Sequence, residues 1–425
     1  MGTNLDAWLG GKRVTVVGAG RSGLAAIAAL SRRGARAFLS EARRVDAPLK
    51  ATLDAQGVAY EQGGHTKRLR ESELVVLSPG VRWTHPQLVQ ARAEGLPVWS
   101  ELELGFRLSS SAHIVAITGT NGKSTTTRLL GHLLRSRGHP TVIGGNLGTP
   151  LCALLDDITP QTWVVLEVSS FQLEGACQFK PHIGAWLNLA PDHLDRHGSL
   201  ERYRGLKARL FTRQTDQDHA LVAPDLAPIL TDARVRRVAP LPPTGRFAAC
   251  PVHLRQDLAF ALCAARLVDP RCAWDAVPWE RWLGHPHCLE YVATAGGVSF
   301  YNDSKATNPH ATRAALEALK TQGPLCVILG GCAKGTPPDA LANYIARHSH
   351  VRQALVLGTG ERWQRELGRA GFTNVRSVTS FSRALGRLDD AVTTCVLSPA
   401  GSSFDLFDNY EARGEAFKAA VNALS

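Results

Sequence analysis

The chain has 425 residues, 44% of them hydrophobic and 20% charged, with a formal net charge of +11. That length predicts two or three soluble globular domains rather than one, and no stretch approaches the ~18 consecutive apolar residues of a membrane span. The positive balance suits an anionic ligand such as a nucleotide, or simply a basic surface; nucleic acid is not expected, because the arginines are dispersed and no basic run interleaves with stacking aromatics. Nine cysteines, an odd count without a C-x-x-C pair, argue against a zinc site or a disulfide framework and for a reducing compartment. The opening MGTNLDAWLGGKR has no apolar core of a signal peptide. The expectation is a cytoplasmic protein.

The first predicted strand is Arg13-Val-Thr-Val-Val17, followed by a glycine turn and an alanine-rich helix to about Arg33. Short apolar runs follow at 37–39 and 74–77. The strand–loop–helix pattern restarts at His113-Ile-Val-Ala-Ile117 and again at Pro324-Leu-Cys-Val-Ile-Leu329, with later strands at 354–357 and 394–397. Strands alternating with helices imply parallel, doubly wound sheets, so the fold class is α/β with three domains and ligands in clefts at the carboxyl ends of strands. Boundaries are expected at 109–111 and 284–287. The segment 212–250, rich in Pro, Asp and Arg, has no period that assigns it.

Gly18-Ala-Gly-Arg-Ser-Gly23 matches G-x-G-x-x-G after a strand, and Glu41 lies near where a ribose-binding acid would stand. NAD, a diphosphate-bearing sugar nucleotide at the same helix N-terminus, and a tight turn without a ligand all remain open. The rest of the chain offers no hydride-transfer chemistry.

The strongest local signal runs from Gly119 through Thr120, Asn121, Gly122, Lys123, Ser124 and Thr125, between a strand and a helix. Glycines let the backbone wrap phosphate oxygens, and the helix N-terminus adds unpaired N–H groups. Lys123 would reach the terminal phosphates and Ser124 would hold a magnesium ion. The loop is one residue shorter than G-x-x-x-x-G-K-[ST]. Two strands of the same region deliver Glu167, in Val164-Val-Leu-Glu167, and Asp192, His193 and Asp195, in Asn188-Leu-Ala-Pro-Asp-His-Leu-Asp195. A lone buried Glu or His is usually structural, but two such groups beside a phosphate loop suit a second divalent ion. Lys207, in the predicted helix 200–211, is a surface lysine or a site residue; pattern alone does not decide.

In this order, the motifs GTNGKST (119–125), GGNLGTPL (144–151), EVSSFQLE (167–174), DHLDRHGS (192–199), NDSKATN (302–308) and SPAGSSFDLFDNYEARG (398–414) resemble the Mur ligase family, which includes the folylpolyglutamate synthetases. The G-x-G-x-x-G first domain with SSFQLE and NDSKATNP is most similar to members that add D-glutamate to UDP-N-acetylmuramoyl-L-alanine in peptidoglycan precursor synthesis. The resemblance implies a Rossmann-like UDP-substrate domain over 1–110, a central P-loop ATP-binding domain over 111–284 and a Rossmann-like amino-acid-binding domain over 285–425. It implies ATP and two Mg²⁺ ions, an acyl-phosphate intermediate, and a monomer. Ala19, Gly20, Arg21 and Ser22 would meet the diphosphate, Glu41 and Arg43 the uracil, with Ser78 close by. Asn146, Ser169 and Gln172 would serve the UDP-substrate. Lys123, Ser124, Asp303 and Lys305 would serve ATP. Glu167 and His193 would bind the second magnesium, with Lys207 matching a family lysine that carries a carbamate. Thr307, Lys334, Ser403 and Phe404 match positions for the incoming amino acid.

Two departures stand out. Pro286-His-Cys-Leu-Glu290 has Cys288 where the family pattern carries an arginine facing the ATP phosphates, and His253-Leu-Arg-Gln-Asp257 lacks the expected asparagines. A thiol supplies neither the charge nor the paired donors of a guanidinium. A ligase for another amino acid such as L-glutamate, a folylpolyglutamate synthetase, and a catalytically weak UDP-substrate-binding relative are the alternatives. A pterin-glutamate acceptor would not need the complete N-terminal domain.

Overall fold

The computed structural model of the chain describes residues 5–146, 148–248, 250–273, 286–358 and 360–424. Leu147 of the 144–151 motif, and positions 284 and 285 at the expected second boundary, lie outside the described residues. Two compact units emerge: Met1–Leu189 with Glu201–Pro240 and Gln256–Ala276, and Ala190–Leu200 with Leu241–Arg255 and Val277–Ser425. Three sheets lie within them, two in the first unit and one in the second.

The first sheet contains β1 (Arg13–Val17), β2 (Arg36–Glu41), β3 (Ala59–Gln62), β4 (Leu74–Leu77) and β5 (Val98–Ser100), all parallel in the order β3-β2-β1-β4-β5. The order reverses between β1 and β4, and the glycine turn after β1 sits at that switch point, where doubly wound sheets bind ligands. The second sheet contains β6 (Ile114–Thr118), β7 (Thr141–Gly145), β8 (Trp163–Glu167), β9 (Ile183–Trp186), β10 (His219–Val222) and β11 (Arg234–Arg237), in the order β11-β10-β9-β6-β8-β7. β8 and β9 therefore flank β6 on its two sides, so Glu167 ends a strand directly beside the phosphate loop. Every residue of β6 is buried, as expected of a parallel strand covered on both faces.

The unassigned segment 212–250 supplies β10, β11 and a short 3₁₀ turn at Gly245–Phe247. All four β11 residues, Arg-Val-Arg-Arg, are exposed on the sheet edge. An edge strand that buries neither face shows no apolar alternation, which is why the sequence pattern misses it.

In the first unit the segment 109–111 runs directly from the helix Glu101–Leu108 into β6, and the two sheets share a seam. Leu104, Leu108, Cys152 and Leu155 belong to the same core cluster as Val14 and Val16 of β1. The buried carboxylate of Glu103 accepts from the amides of Cys177 (2.8 Å), Gln178 (2.9 Å) and Phe179 (2.9 Å), and from the Arg107 guanidinium (2.6 Å). The Ser100 amide donates to the Gly175 carbonyl at 3.0 Å.

The second unit carries β12 (Glu290–Ala295), β13 (Val298–Asn302), β14 (Leu325–Gly330), β15 (Val351–Leu357), β16 (Val375–Val378) and β17 (Thr394–Leu397), in the order β12-β13-β17-β14-β15-β16. Only β12 and β13 pair antiparallel, through a tight hairpin whose Gly296 and Gly297 both have positive φ. The helices over this sheet bury Trp363, Leu367, Phe417 and Val421.

Candidate active site

The phosphate loop begins where the buried β6 ends and the helix Lys123–Ser136 starts. Gly122, the N-cap, has φ +83°, the left-handed region that a side chain resists, and a Cβ there would overlap the Asp257 carboxylate. The Asn188 side chain braces the loop from the end of β9. Its Oδ1 accepts from the amides of Thr120 and Asn121, both at 3.0 Å, and its Nδ2 donates to the Asn121 carbonyl at 3.1 Å. The Lys123 ammonium donates to the carbonyls of Gly119 (3.1 Å) and Thr120 (2.9 Å), so it folds along the loop it would serve.

Glu167 is buried at the end of β8 and is held by two side chains. Ser124 Oγ donates to one carboxylate oxygen and Asn146 Nδ2 to the other, each at 2.6 Å. The hydroxyl and carboxylate expected to hold magnesium are thus in contact, and hard oxygen donors of this kind suit that ion. Among the described residues no group of three or more His, Cys, Asp or Glu stands together as a metal cluster; magnesium commonly takes one or two protein carboxylates and completes its shell with phosphate and water. Lys207, open between surface and site from sequence alone, is only 1% exposed. Its Nζ donates to the Gly119 carbonyl at 2.7 Å and lies 4.5 Å over the Tyr203 ring, directly beneath the phosphate loop. Ser169 and Gln172 form a reciprocal capping box at the start of the helix Ser170–Glu174, which fixes the chain just beyond Glu167.

At the first glycine turn, Gly20 is the N-cap of the helix Arg21–Ser31. A Cβ on Gly23 would overlap the Gly18 carbonyl, which explains the third glycine of the motif. Ser78 Oγ donates to that carbonyl at 2.8 Å. The Glu41 carboxylate accepts from the Ala19 amide at 2.6 Å and the Arg43 amide at 2.8 Å, with the Arg43 guanidinium 3.7 Å away. Burial alone would raise the Glu41 carboxyl, but the Arg43 and Ala19 amides, with the charges of Arg43 and His65, hold it below the ordinary value. The structure thus gathers Ala19, Glu41, Arg43 and Ser78 around one turn.

The second unit assembles another cluster. The buried Asp192 carboxylate accepts from the His193 amide (2.9 Å) and Asn308 Nδ2 (3.2 Å), and lies 3.5 Å from Lys334 Nζ. Lys334 Nζ also donates to Thr307 Oγ1 at 2.9 Å, bringing together two of the residues expected at the amino acid. Ser402 and Cys332 exchange two backbone bonds, at 2.8 and 3.0 Å, and so tie the loop bearing Ser403 to the one bearing Lys334. Ser403 is buried, whereas Phe404 is 75% exposed. Asp303 accepts from Ser398 Oγ (2.8 Å) and the Leu289 amide (3.0 Å). Burial pushes its carboxyl up to about 7, against the pull of those donors and of Lys305 and Arg413. The Lys305 amide donates to the His287 carbonyl at 3.0 Å, and the fully buried Arg413 guanidinium binds Ser304 Oγ, the Ser304 carbonyl and the Gly401 carbonyl at 2.8–3.0 Å. Glu167 belongs to the first unit and His193 to the second.

A cavity of about 160 Å³ opens in the second unit beside this cluster, lined by Thr307, Lys334, Thr336, Gly360, Arg362 and Trp363 among others. The sequence pattern singles out neither Asn188, which braces the phosphate loop, nor Asn308, which donates to Asp192, nor Arg362, which lines the cavity. The position of Asn188, just after a strand that neighbours the phosphate-loop strand, is the signal that could have found it; Arg362 carries no motif of its own.

Three family models match the chain: "MurD N-terminal domain" over 13–86, "Mur ligase middle domain" over 117–236 and "Mur ligase, glutamate ligase domain" over 288–401. Among solved structures, MurF from Acinetobacter baumannii is similar with TM-score 0.56 and 17% identity, covering 99% of this chain and 92% of that one. MurF ligase from Thermotoga maritima in complex with ADP is similar with TM-score 0.55 and 15% identity, covering 100% of each chain. These likenesses speak for the fold. A UDP-N-acetylmuramoylalanine–D-glutamate ligase from Acidobacterium capsulatum is 39% identical, with 98% of this chain and 97% of the relative covered. Another, from Koribacter versatilis, is 36% identical with 98% of both covered, and one from Pelotomaculum thermopropionicum is 38% identical with 97% and 98% covered. Identity at this level along essentially the whole chain, with the N-terminal family model matched as well, makes the chain a member of the Mur ligase family, on the branch of the UDP-N-acetylmuramoylalanine–D-glutamate ligases.

Proposed function

We propose that the protein is an ATP-dependent ligase that joins D-glutamate to UDP-N-acetylmuramoyl-L-alanine, releasing ADP and phosphate, in the synthesis of peptidoglycan precursors. The observation that carries the chemistry is the contact of Ser124 and Asn146 with the Glu167 carboxylate beside the phosphate loop. In the first step the alanyl carboxylate attacks the γ-phosphorus of ATP, and the bond to the β-phosphate oxygen breaks to give an acyl phosphate and ADP. In the second, the amine of D-glutamate attacks the acyl carbon, loses its proton, and expels phosphate as the amide forms.

The protein does little covalent work in this sequence; it positions groups and neutralises charge. Lys123 turns its ammonium from the loop carbonyls to the terminal phosphates, and the amides of 119–125, braced by Asn188, cradle the rest. Ser124, Glu167 and His193 would hold two magnesium ions, with Lys207 contributing if its amine is carbamylated. Magnesium, when bound, offsets the charge that gathers on the transferred phosphoryl group. Asp303 and Lys305 serve the nucleotide. Ala19, Gly20, Arg21, Ser22, Glu41, Arg43 and Ser78 receive the uridine diphosphate. Asn146, Ser169 and Gln172 line the sugar-peptide side, and Thr307, Lys334, Ser403 and Phe404 the amino acid. The proposed domains 1–110, 111–284 and 285–425 would each hold one of the three sheets, and the reading is of a cytoplasmic monomer. No helix among the described residues is long and apolar enough to cross a membrane.

One observation favours a second reading, a substrate-binding but catalytically weak relative. The Asp257 carboxylate abuts Gly122 of the phosphate loop, and Cys288 brings no charge to the nucleotide. Incubating the protein with ATP, Mg²⁺ and UDP-N-acetylmuramoyl-L-alanine, with D-glutamate, L-glutamate or neither, separates the readings. Phosphate release and an amide product seen by mass spectrometry with D-glutamate alone are expected. Product with L-glutamate only would change the substrate, and no turnover despite bound UDP-substrate would favour the weak relative.

A further inference from the structure

We propose that Arg362 is a second carboxylate anchor of the cavity beside Lys334, and that it makes this pocket selective for amino acids with two carboxylates. The inference rests on the reading above, in which Lys334 and Thr307 meet the incoming amino acid.

The charge balance of the pocket motivates it. Lys334 does not bring a free positive charge there: its ammonium lies 3.5 Å from the buried Asp192 carboxylate and is further engaged by Thr307 Oγ1 at 2.9 Å. One carboxylate from a ligand would therefore complete a group that is already half-neutralised. Arg362 stands differently. Among the described residues it forms no ion pair and makes a single hydrogen bond, from Nη2 to the Thr336 carbonyl at 2.6 Å. That bond fixes the plane of the guanidinium against the cavity wall and leaves its other N–H groups uncommitted, the fork geometry that suits a carboxylate. The wall behind it is tied to the core. Trp363 is buried in the sheet's core cluster, and Thr336 Oγ1 donates to the Pro191 carbonyl at 3.2 Å. Gly360, the N-cap of the helix Glu361–Arg369, lines the same cavity and has no side-chain cap, so the helix end adds a favourable dipole for an anion. The cavity these residues line has a volume of about 160 Å³.

The cations at two places in the wall have different consequences for selection. A one-carboxylate amino acid would satisfy the Lys334 group and leave the half-buried Arg362 facing an uncharged end, losing the charge-assisted pair. The pocket then discriminates by an unmade bond rather than by size.

The test measures D-glutamate binding by calorimetry and steady-state turnover side by side, for wild type, R362Q and R362K. R362Q removes the charge and shortens the side chain, whereas R362K keeps the charge without the guanidinium fork. We expect R362Q to raise the D-glutamate KM and Kd roughly 10- to 100-fold, the loss of one charge-assisted pair. The preference for D-glutamate over D-glutamine should fall by a similar factor, with the KM values of ATP and UDP-substrate unchanged and R362K recovering part of the affinity. D-glutamate affinity and the glutamate-to-glutamine ratio within twofold of wild type in R362Q would overturn the proposal. A wild type that binds D-glutamate in an Arg362-dependent way without turning it over would uphold the anchor and sink the proposed ligase activity. A folded R362Q in which all three substrates weaken together would show a structural role and overturn the anchor.

Discussion

The turn after β1 and the loop after β6 are built alike, a buried strand running through glycines into a helix, with a carboxylate delivered from a neighbouring strand. They differ in what holds that carboxylate. Glu41 is engaged by main-chain amides, those of Ala19 and Arg43, which cannot turn away without refolding the loop. Glu167 is engaged by the side chains of Ser124 and Asn146, which can exchange it for other partners by rotation about a bond. A carboxylate gripped by backbone serves as a brace that shapes a site. One gripped by side chains is kept in readiness, its charge available to a ligand at the cost of a rotamer change. The same residue type beside the same loop geometry is thus held in two ways, by backbone in one loop and by side chains in the other.

The largest effect should come from Lys123, the loop cation proposed to reach the terminal phosphates. Lys123→Ala is expected to lower kcat by about 10²–10³, read as ADP release, with thermal stability unchanged; near-normal turnover would remove Lys123 from the chemistry. Glu167→Gln keeps the shape but loses the charge, and its single amide oxygen can accept from only one of Ser124 and Asn146. It should move the Mg²⁺ dependence of turnover to at least about tenfold higher concentration, whereas a shift in UDP-substrate affinity alone would erase the contrast between the two loops. Glu41→Gln should act in the opposite way, weakening UDP-substrate binding by a few-fold, on the order of one hydrogen bond, and leaving the Mg²⁺ curve in place. Because the folded-state carboxyl of Glu41 lies below its ordinary value, its ionised form contributes stability that is present above that value and fades as pH falls through the folded one. The Tm gap between wild type and Glu41→Gln should therefore hold steady at neutral pH and close in acid; a gap that widened in acid would refute the brace.

Much of this was legible in the residues themselves. The strands at 13–17, 74–77 and 394–397 coincide with apolar runs because parallel strands covered on both faces have no solvent side to encode. Gly122, Lys123, Ser124 and Glu167 stand out in the residues because a glycine loop between strand and helix and a carboxylate ending a strand are local patterns. β11 was not legible, since an exposed edge strand of arginines hides no face. Asn188 and Asn308 were not either: each works through hydrogen bonds to residues 67 to 116 positions away, a geometry with no local period to betray it. The pairing of Lys334 with Asp192 likewise joins residues whose neighbourhood only the fold creates.

The seam at Glu103 bears on which parts of the chain could live alone. A carboxylate with no exposed side-chain surface takes its partners from Cys177, Gln178 and Phe179, beyond a strand and a helix of the second sheet. A fragment ending near residue 110 would keep that acid and discard all three amides, and with them Cys152 and Leu155 of the core shared with β1. The first and second sheets are therefore joined by a buried core and a buried carboxylate, and a fragment ending near residue 110 is expected to melt below the whole chain.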